Sequence, residues 1–183
     1  MVTGRQAATI LRDVLSSDDQ ARILLRTGIA GAPVETAGAY VFDDAAVDAL
    51  RLRPPVDERA LARMCPQGVY VARLPRTLAL DLSGPWSDIA RQVTRALAQQ
   101  RPLTPLSGAL IGVRIQAWGF LPFVATLLGY VVLAADLTQL GADGPRLEAP
   151  GSWATAVVDR RFHTRPGGRP WYLWTPPVVE EAR

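Results

Sequence analysis

Three short segments near the start of the chain place apolar residues at helical spacing, which predicts three amphipathic helices. Their apolar positions are Ala7, Ala8, Leu11, Val14 and Leu15; Ala21, Leu24, Leu25 and Gly28; and Ala46, Val47 and Leu50. Ser17 and Asp43 are suited to cap the second and third helices, and Gly28 is suited to end the second in a left-handed conformation. We therefore expect one N-terminal core that contains Leu24, Leu25, Val47 and Leu50.

Between the second and third helices the pattern changes from helical to extended. Pro33 excludes a helix, and Gly38 separates the runs 33–36 and 39–42. Two short extended runs joined by a glycine turn predict a β-hairpin.

The middle of the chain predicts a short helix over Arg59–Met64 and strands over Val69–Leu74 and Leu78–Leu82, joined through Pro75-Arg76. From Trp86 a longer amphipathic helix is predicted. Its inward residues are Trp86, Ile89, Ala90, Val93 and Leu97.

The last part of the chain predicts mainly strands. Alternating apolar residues favour a strand over Leu110–Trp118. A buried strand is predicted over Phe123–Leu137, broken or bent at Gly129, and a buried helix stays open for the same residues. Trp153–Arg161 predicts a short helix, and Trp171–Trp174 predicts a strand.

One apolar stretch approaches the length of a membrane span. Residues 117–135 carry no charge over 19 positions, and about 20 apolar residues suffice to cross a bilayer. Gly119, Pro122 and Gly129 interrupt the run, so we expect soluble core and no membrane contact.

Together the elements predict an α+β protein: an N-terminal winged-helix-like helical module followed by a mainly β C-terminal unit. We expect boundaries at 1–60 for the helical module, 61–106 for connecting strands and the amphipathic helix, and 107–183 for the β-rich unit.

The first third resembles the winged helix-turn-helix of MerR-type regulators and phage excisionases. The matching features are Ala7-Ala8, Leu24-Leu25 with Gly28 and Ile29, Tyr40-x-Phe42 before Asp43-Asp44, and Val47-x-x-Leu50. The resemblance implies a second helix in the DNA major groove and a hairpin, the wing, on the phosphates. By position, the DNA-binding residues would then be Gln20, Arg22, Arg26 and Thr36.

The charge of this module departs from that family. Glu35 occupies the wing, and Asp18 and Asp19 open the second helix. Residues 1–60 contain seven Arg against nine Asp plus Glu. DNA-binding surfaces need basic residues to neutralise phosphates, so a protein–protein adaptor stays an alternative.

Basic residues are concentrated after the helical module. Residues 61–107 carry six Arg and two Asp, and Arg91 and Arg95 lie on the outer face of the Trp86 helix. This face is either a second phosphate contact or a solvated surface. All 20 basic residues are Arg, a composition typical of a GC-rich bacterial genome such as that of an actinobacterium.

The sequence offers little catalytic chemistry. Cys65 and His163 are the only residues of their types, so no internal disulfide, cysteine-based metal site or cofactor is expected. A reducing, cytoplasmic location follows, since the charged N-terminus also lacks a secretory signal. The concentration of aromatic residues near arginines predicts a ligand site formed by Trp153, His163, Arg169, Trp171 and Trp174. Tryptophans that complete a β core are the alternative.

The sequence therefore predicts a DNA-binding protein of regulatory or nucleoid-associated type, with a C-terminal unit for sensing or dimerisation. DNA, a protein partner and a second copy of the chain are the candidate partners. The adaptor without DNA binding is the alternative, and a small enzyme that uses His163 is a third.

Overall fold

The structure is a computed structural model that describes residues 1–100, 103–141, 144–162 and 170–177. Its first part alternates helices with short strands. The elements are β1 (Val2–Thr3), α1 (Gly4–Leu11), α2 (Asp18–Arg26), β2 (Val34–Thr36), β3 (Ala39–Phe42) and α3 (Asp44–Leu52). The three strands form an antiparallel sheet in the order β1-β3-β2, so the predicted helices and hairpin are confirmed.

Local signals set the ends of these elements. Thr3 and Gln6 form a reciprocal capping box at α1, and the Ser17 hydroxyl accepts a hydrogen bond from the Gln20 amide at 3.3 Å. Gly28 follows α2 with a φ of 75°, the left-handed conformation that ends helices. Asp43 occupies the N-cap position of α3 without a side-chain capping bond.

The remainder of the chain builds a five-stranded sheet. Its elements are α4 (Glu58–Met64), β4 (Val69–Arg73), α5 (Trp86–Ala98), α6 (Pro105–Trp118), β5 (Leu121–Leu127), β6 (Tyr130–Gly141), β7 (Gly144–Glu148), a 3-10 helix (Ser152–Ala156) and β8 (Trp171–Trp174). The strand order is β7-β6-β5-β4-β8. Only β4 and β5 run parallel, because α5 and α6 form the crossover between them.

The sheet is covered on both faces. One hydrophobic cluster joins residues of the N-terminal helices, α5 and α6 to the sheet, through side chains such as Leu24, Val93 and Phe123. A second cluster joins α4 and the 3-10 helix to the other face, through Leu61 and Trp153. Leu24, Leu25, Val47 and Leu50 are all buried in the first cluster, as the sequence predicts, so the N-terminal module is part of a continuous core.

The predicted strand over Leu110–Trp118 is wrong, because this segment is helix α6. Thr104 caps the helix by accepting a hydrogen bond from Ser107, Pro105 occupies its first turn, and Gly119 ends it at a φ of 81°. The helix is apolar around most of its circumference, so its residues fit alternation as well as a helical period.

The strand predicted over 123–137 is broken at Gly129, one of the two expected forms: its residues belong to two antiparallel strands, and Leu128-Gly129 forms the turn between them. Two other predictions need correction. Residues 78–82 form no strand, since β4 pairs with β5 and β8 instead. The helix predicted over 153–161 is only a 3-10 turn, and Asp159 adopts a φ of 55° that a helix does not allow. Within the described residues no helix is long and apolar enough to cross a membrane.

Candidate nucleic-acid interface

Helix α2 presents a short polar face to solvent. Its buried side consists of Ala21, Leu24 and Leu25, so the opposite side carries Asp19, Arg22 and Arg26, all three exposed. The helix has nine residues and is therefore about 13 Å long, comparable to the roughly 12 Å width of the DNA major groove. Two guanidinium groups, four positions apart, thus share one accessible face, as the sequence predicts.

Neighbouring carboxylates occupy part of this basic surface. Arg22 lies 3.4 Å from Asp19 and Arg12 lies 2.7 Å from Asp18, measured between guanidinium nitrogen and carboxylate oxygen. Arg26 has no ion-pair partner among the residues that the structure describes. Because exposed ion pairs contribute little stability, Arg22 can exchange Asp19 for a phosphate at little energetic cost. Arg26 is the more available of the two arginines for binding an anion.

The third α2 residue in the predicted set has a local structural role. The Gln20 side-chain oxygen accepts hydrogen bonds from the Ser16 amide at 3.2 Å and the Ser16 hydroxyl at 3.0 Å. The same residue donates its backbone amide to Ser17. Gln20 therefore shapes the turn that leads into α2, and only its side-chain NH2 group is left for a ligand.

The β2–β3 hairpin projects into solvent. Ala37 and Gly38 both have positive φ, 48° and 78°, as a tight two-residue hairpin turn requires. Thr36 is exposed beside the turn, but the hairpin contains no basic residue. Its largest exposed side chains are Val34 and Tyr40, so the hairpin can supply hydroxyl and apolar contacts but no cationic contact to phosphates.

Arg91 and Arg95 line a shallow groove on a different element. The groove lies between α5 and β7 and is completed by Trp86, Thr94 and Leu147. Arg91 forms an ion pair with Asp88 at 2.8 Å, whereas Arg95 has no ion pair among the described residues. Among the described residues of the groove, Arg95 is thus the cation without an ion pair, and it lies beside the apolar Trp86 and Leu147.

The link between α2 and α5 is acidic. The Leu82 amide donates to the Thr27 carbonyl oxygen at 2.7 Å, directly after α2, and α5 begins at Trp86. Asp81 lies beside this contact, and its hydrogen bonds from the Ser83 hydroxyl and amide lower the pKa of its carboxyl group. Asp81 and Asp88 therefore place carboxyl groups in the segment between Arg26 and the α5 groove.

The sequence did not reveal a cleft where the N-terminal module meets the sheet. The cleft has a volume of about 370 Å³ and is lined by Ile29, Trp86, Ile89 and Val132. Arg53 and Asp159 form an ion pair at 3.0 Å in the same cleft. Its polar groups bind each other, so the cleft acts as a packing seam between the module and the sheet.

The aromatic residues of the C-terminal part are divided by the sheet. Trp171 packs with the first hydrophobic cluster, whereas Trp174 and Trp153 belong to the second, since alternate residues of a strand point to opposite faces. The Trp153 indole donates a hydrogen bond of 2.6 Å to Asp136, so it anchors the core. His163 and Arg169 lie outside the described residues.

The described residues contain little that could carry out catalysis. Burial is the main factor that raises the pKa of the Cys65 thiol to about 12, so the thiol stays protonated and unreactive at neutral pH. No group of three or more His, Cys, Asp or Glu in the described ranges could hold a metal ion.

Comparisons with known proteins give no relative: no family model, curated protein or solved structure matches the chain.

Proposed function

We propose that the protein binds DNA, and that its N-terminal module is a winged helix in which α2 enters the major groove. The observation that carries this proposal is the exposed face of α2, on which Arg22 and Arg26 stand one helical turn apart. A helix-turn-helix reads DNA with its second helix in this way. Regulation or nucleoid organisation is the corresponding role.

The module supports α2 as a rigid reading element. α1 packs against both α2 and α3, and β1 pairs with β3, so the hairpin is fixed to the start of α1. The buried Leu24 and Leu25 hold α2 to the core. A recognition helix needs this rigidity, because base contacts depend on side chains held in register with the groove.

Each arginine has a separate role in the proposal. No carboxylate among the described residues pairs with Arg26, so Arg26 donates to a guanine edge through two parallel hydrogen bonds. Arg22 leaves Asp19 for a phosphate. The acidic residues of the module keep the affinity of a single chain low, so specific binding needs a second copy or the help of Arg91 and Arg95.

The test is a fluorescence anisotropy titration of the full chain against labelled genomic duplexes at about 50 and about 200 mM salt. We expect binding at low salt that falls steeply at high salt, since each phosphate contact releases counterions. Arg22→Ala with Arg26→Ala should weaken binding by ~10-fold or more and reduce the salt slope by about one for each phosphate that is no longer neutralised. Arg26→Ala alone should also relax the sequence preference.

The chain offers a matched control on α4. Arg59 and Arg63 are also exposed and four positions apart, so Arg59→Ala with Arg63→Ala removes the same charge at the same spacing. This control should bind like the wild type. An equal loss in both double variants would indicate a general charge effect, and no binding at low salt with micromolar protein would refute the proposal.

A second candidate function is that of a protein–protein adaptor. The exposed Val34 and Tyr40 and the acidic Glu35 on the hairpin favour it, because apolar and acidic side chains suit a protein partner better than a phosphate backbone. If this function is the correct one, Tyr40→Ser should abolish partner capture by the immobilised chain. Arg22→Ala with Arg26→Ala should leave capture intact.

A further inference from the structure

Helix α6 has an apolar face that nothing in the described structure covers. Of its 14 residues only Ile111 is buried. Leu106, Leu110, Val113 and Trp118 are 72 %, 49 %, 63 % and 53 % exposed. Single exposed apolar residues are common, but a contiguous patch of this kind marks an interaction site.

The face also lacks the charges that keep a helix surface in water. Pro105–Trp118 contains no acidic residue and one basic residue, Arg114. The Arg114 guanidinium donates to the Gln67 carbonyl oxygen, so it is tied to the body of the protein. A surface without available charge offers no electrostatic complement to a charged partner and fits an equally uncharged one.

We propose that this face is the contact of a homodimer in which two α6 helices pack antiparallel about a two-fold axis. We define the outer stripe as Leu106, Leu110, Val113 and Ala117, which follow the four-three-four spacing of a coiled-coil seam. Under an antiparallel two-fold, Leu110 meets the partner's Val113, and Leu106 meets the partner's Ala117. Each contact occurs twice, as an isologous interface requires, and larger residues face smaller ones.

The available area sets the strength of this dimer. The exposed apolar side chains of α6 offer roughly 500 Å² per copy, so that two copies bury about 1,000 Å². Stable specific interfaces bury about 1,200–2,000 Å² in total. Because the available area is below that range, we expect a weak, reversible dimer.

This contact does not depend on DNA binding, but it bears on it. A dimer presents two copies of the N-terminal module, and paired helix-turn-helix modules read paired half-sites. The experiment contains no nucleic acid, so its failure leaves the DNA-binding proposal standing, and the reverse holds too.

The first experiment is analytical ultracentrifugation of the full chain from about 1 µM to about 1 mM. We expect a monomer–dimer equilibrium. Leu110→Glu should raise the dimer dissociation constant by ~100-fold, because it places two unpaired carboxylates in the interface. Leu110 is exposed in the single chain, so this variant should keep the wild-type circular dichroism. Gln99→Glu adds the same charge at an exposed position after α5 and should leave the constant unchanged.

A second experiment tests the antiparallel arrangement. A mixture of the Leu106→Cys and Ala117→Cys variants should form a disulfide between the two chains. Leu106→Cys alone should not, because antiparallel packing separates the two Leu106 by about 16 Å along the helices, and a disulfide needs Cα atoms within about 7 Å. The native Cys65 is buried and does not interfere.

Four results would overturn the proposal. These are a monomer over the whole concentration range, a dimer unaffected by Leu110→Glu, cross-linking of Leu106→Cys alone, and a monomer that binds phosphatidylcholine vesicles through a surface that Leu110→Glu destroys. The third result would indicate parallel helices, and the fourth would assign the face to a membrane surface.

Discussion

Leu25→Ala is the sharpest test of how the N-terminal module is held to the rest of the chain. Leu25 is 2 % exposed and belongs to the cluster that continues into the sheet. The substitution removes three buried carbon groups, worth about 0.8 kcal/mol each, and leaves a cavity that the surrounding helices only partly fill. Measured Leu→Ala changes in cores lie at about 2–5 kcal/mol, so we expect a loss of about 3 kcal/mol in the free energy of unfolding.

Urea denaturation followed by circular dichroism measures this loss directly. For a chain of this size each kcal/mol lowers the melting temperature by about 2–4 °C, so thermal melting should shift by roughly 6–12 °C. The matched control is Leu52→Ala on α3, where the leucine is exposed and the change should be under about 0.5 kcal/mol. A Leu25→Ala protein within 0.5 kcal/mol of the wild type would mean that α2 does not pack as described.

Two further predictions concern the segment between α4 and β4. Gly68→Ala should lower the free energy of unfolding by about 2–4 kcal/mol, because Gly68 has a φ of 87° and a new Cβ would lie 2.6 Å from the Trp174 carbonyl oxygen. The control is Gly31→Ala, where φ is 85° but the space around the residue is open. This variant should lose only about 1 kcal/mol. The pKa of the Cys65 thiol is raised from 9.0 to about 12. The contribution of the protonated thiol to stability is therefore present below pH 9 and is lost as the pH rises from 9 to 12. The urea midpoint should fall by the equivalent of about 1 kcal/mol near pH 10, and the fall should be smaller in the Cys65→Ala variant.

The sequence predicted the N-terminal helices and the hairpin well because their signals are local. Ser17 caps α2 and Gly28 follows it, so the ends of the helix depend on residues within a few positions. The hairpin is equally local, since Ala37 and Gly38 supply the turn. The exposed pair Arg22 and Arg26 followed directly from the helical period.

The sheet was harder to predict because its pairings are distant in sequence. β4 pairs with Leu121–Leu127 and Trp171–Trp174, about 50 and 100 residues further along the chain. Nothing in the alternation of residues 78–82 shows that these other strands occupy both edges of β4. α6 was missed for a different reason, since a helix that is apolar around most of its circumference has no distinct period.

The candidate site was predictable in position but not in its partners. The helical period placed Arg22 and Arg26 on one face, but it gave no sign that Asp19 lies 3.4 Å from Arg22. Nor did it show that Gln20 is bound to Ser16. Strand alternation implies that Trp171 and Trp174 are separated, but only the pairing of β8 shows that the sheet lies between them.

The most direct test of the central claim, that α2 is the DNA-reading surface, is a map of backbone amide shifts in the nitrogen-15-labelled chain as a mixed-sequence duplex is added at low salt. We expect the largest shifts at residues 18–26 and 34–42, with smaller ones near Arg91 and Arg95. Shifts confined to the α5 groove, or no shifts at all with duplex in excess, would contradict the account.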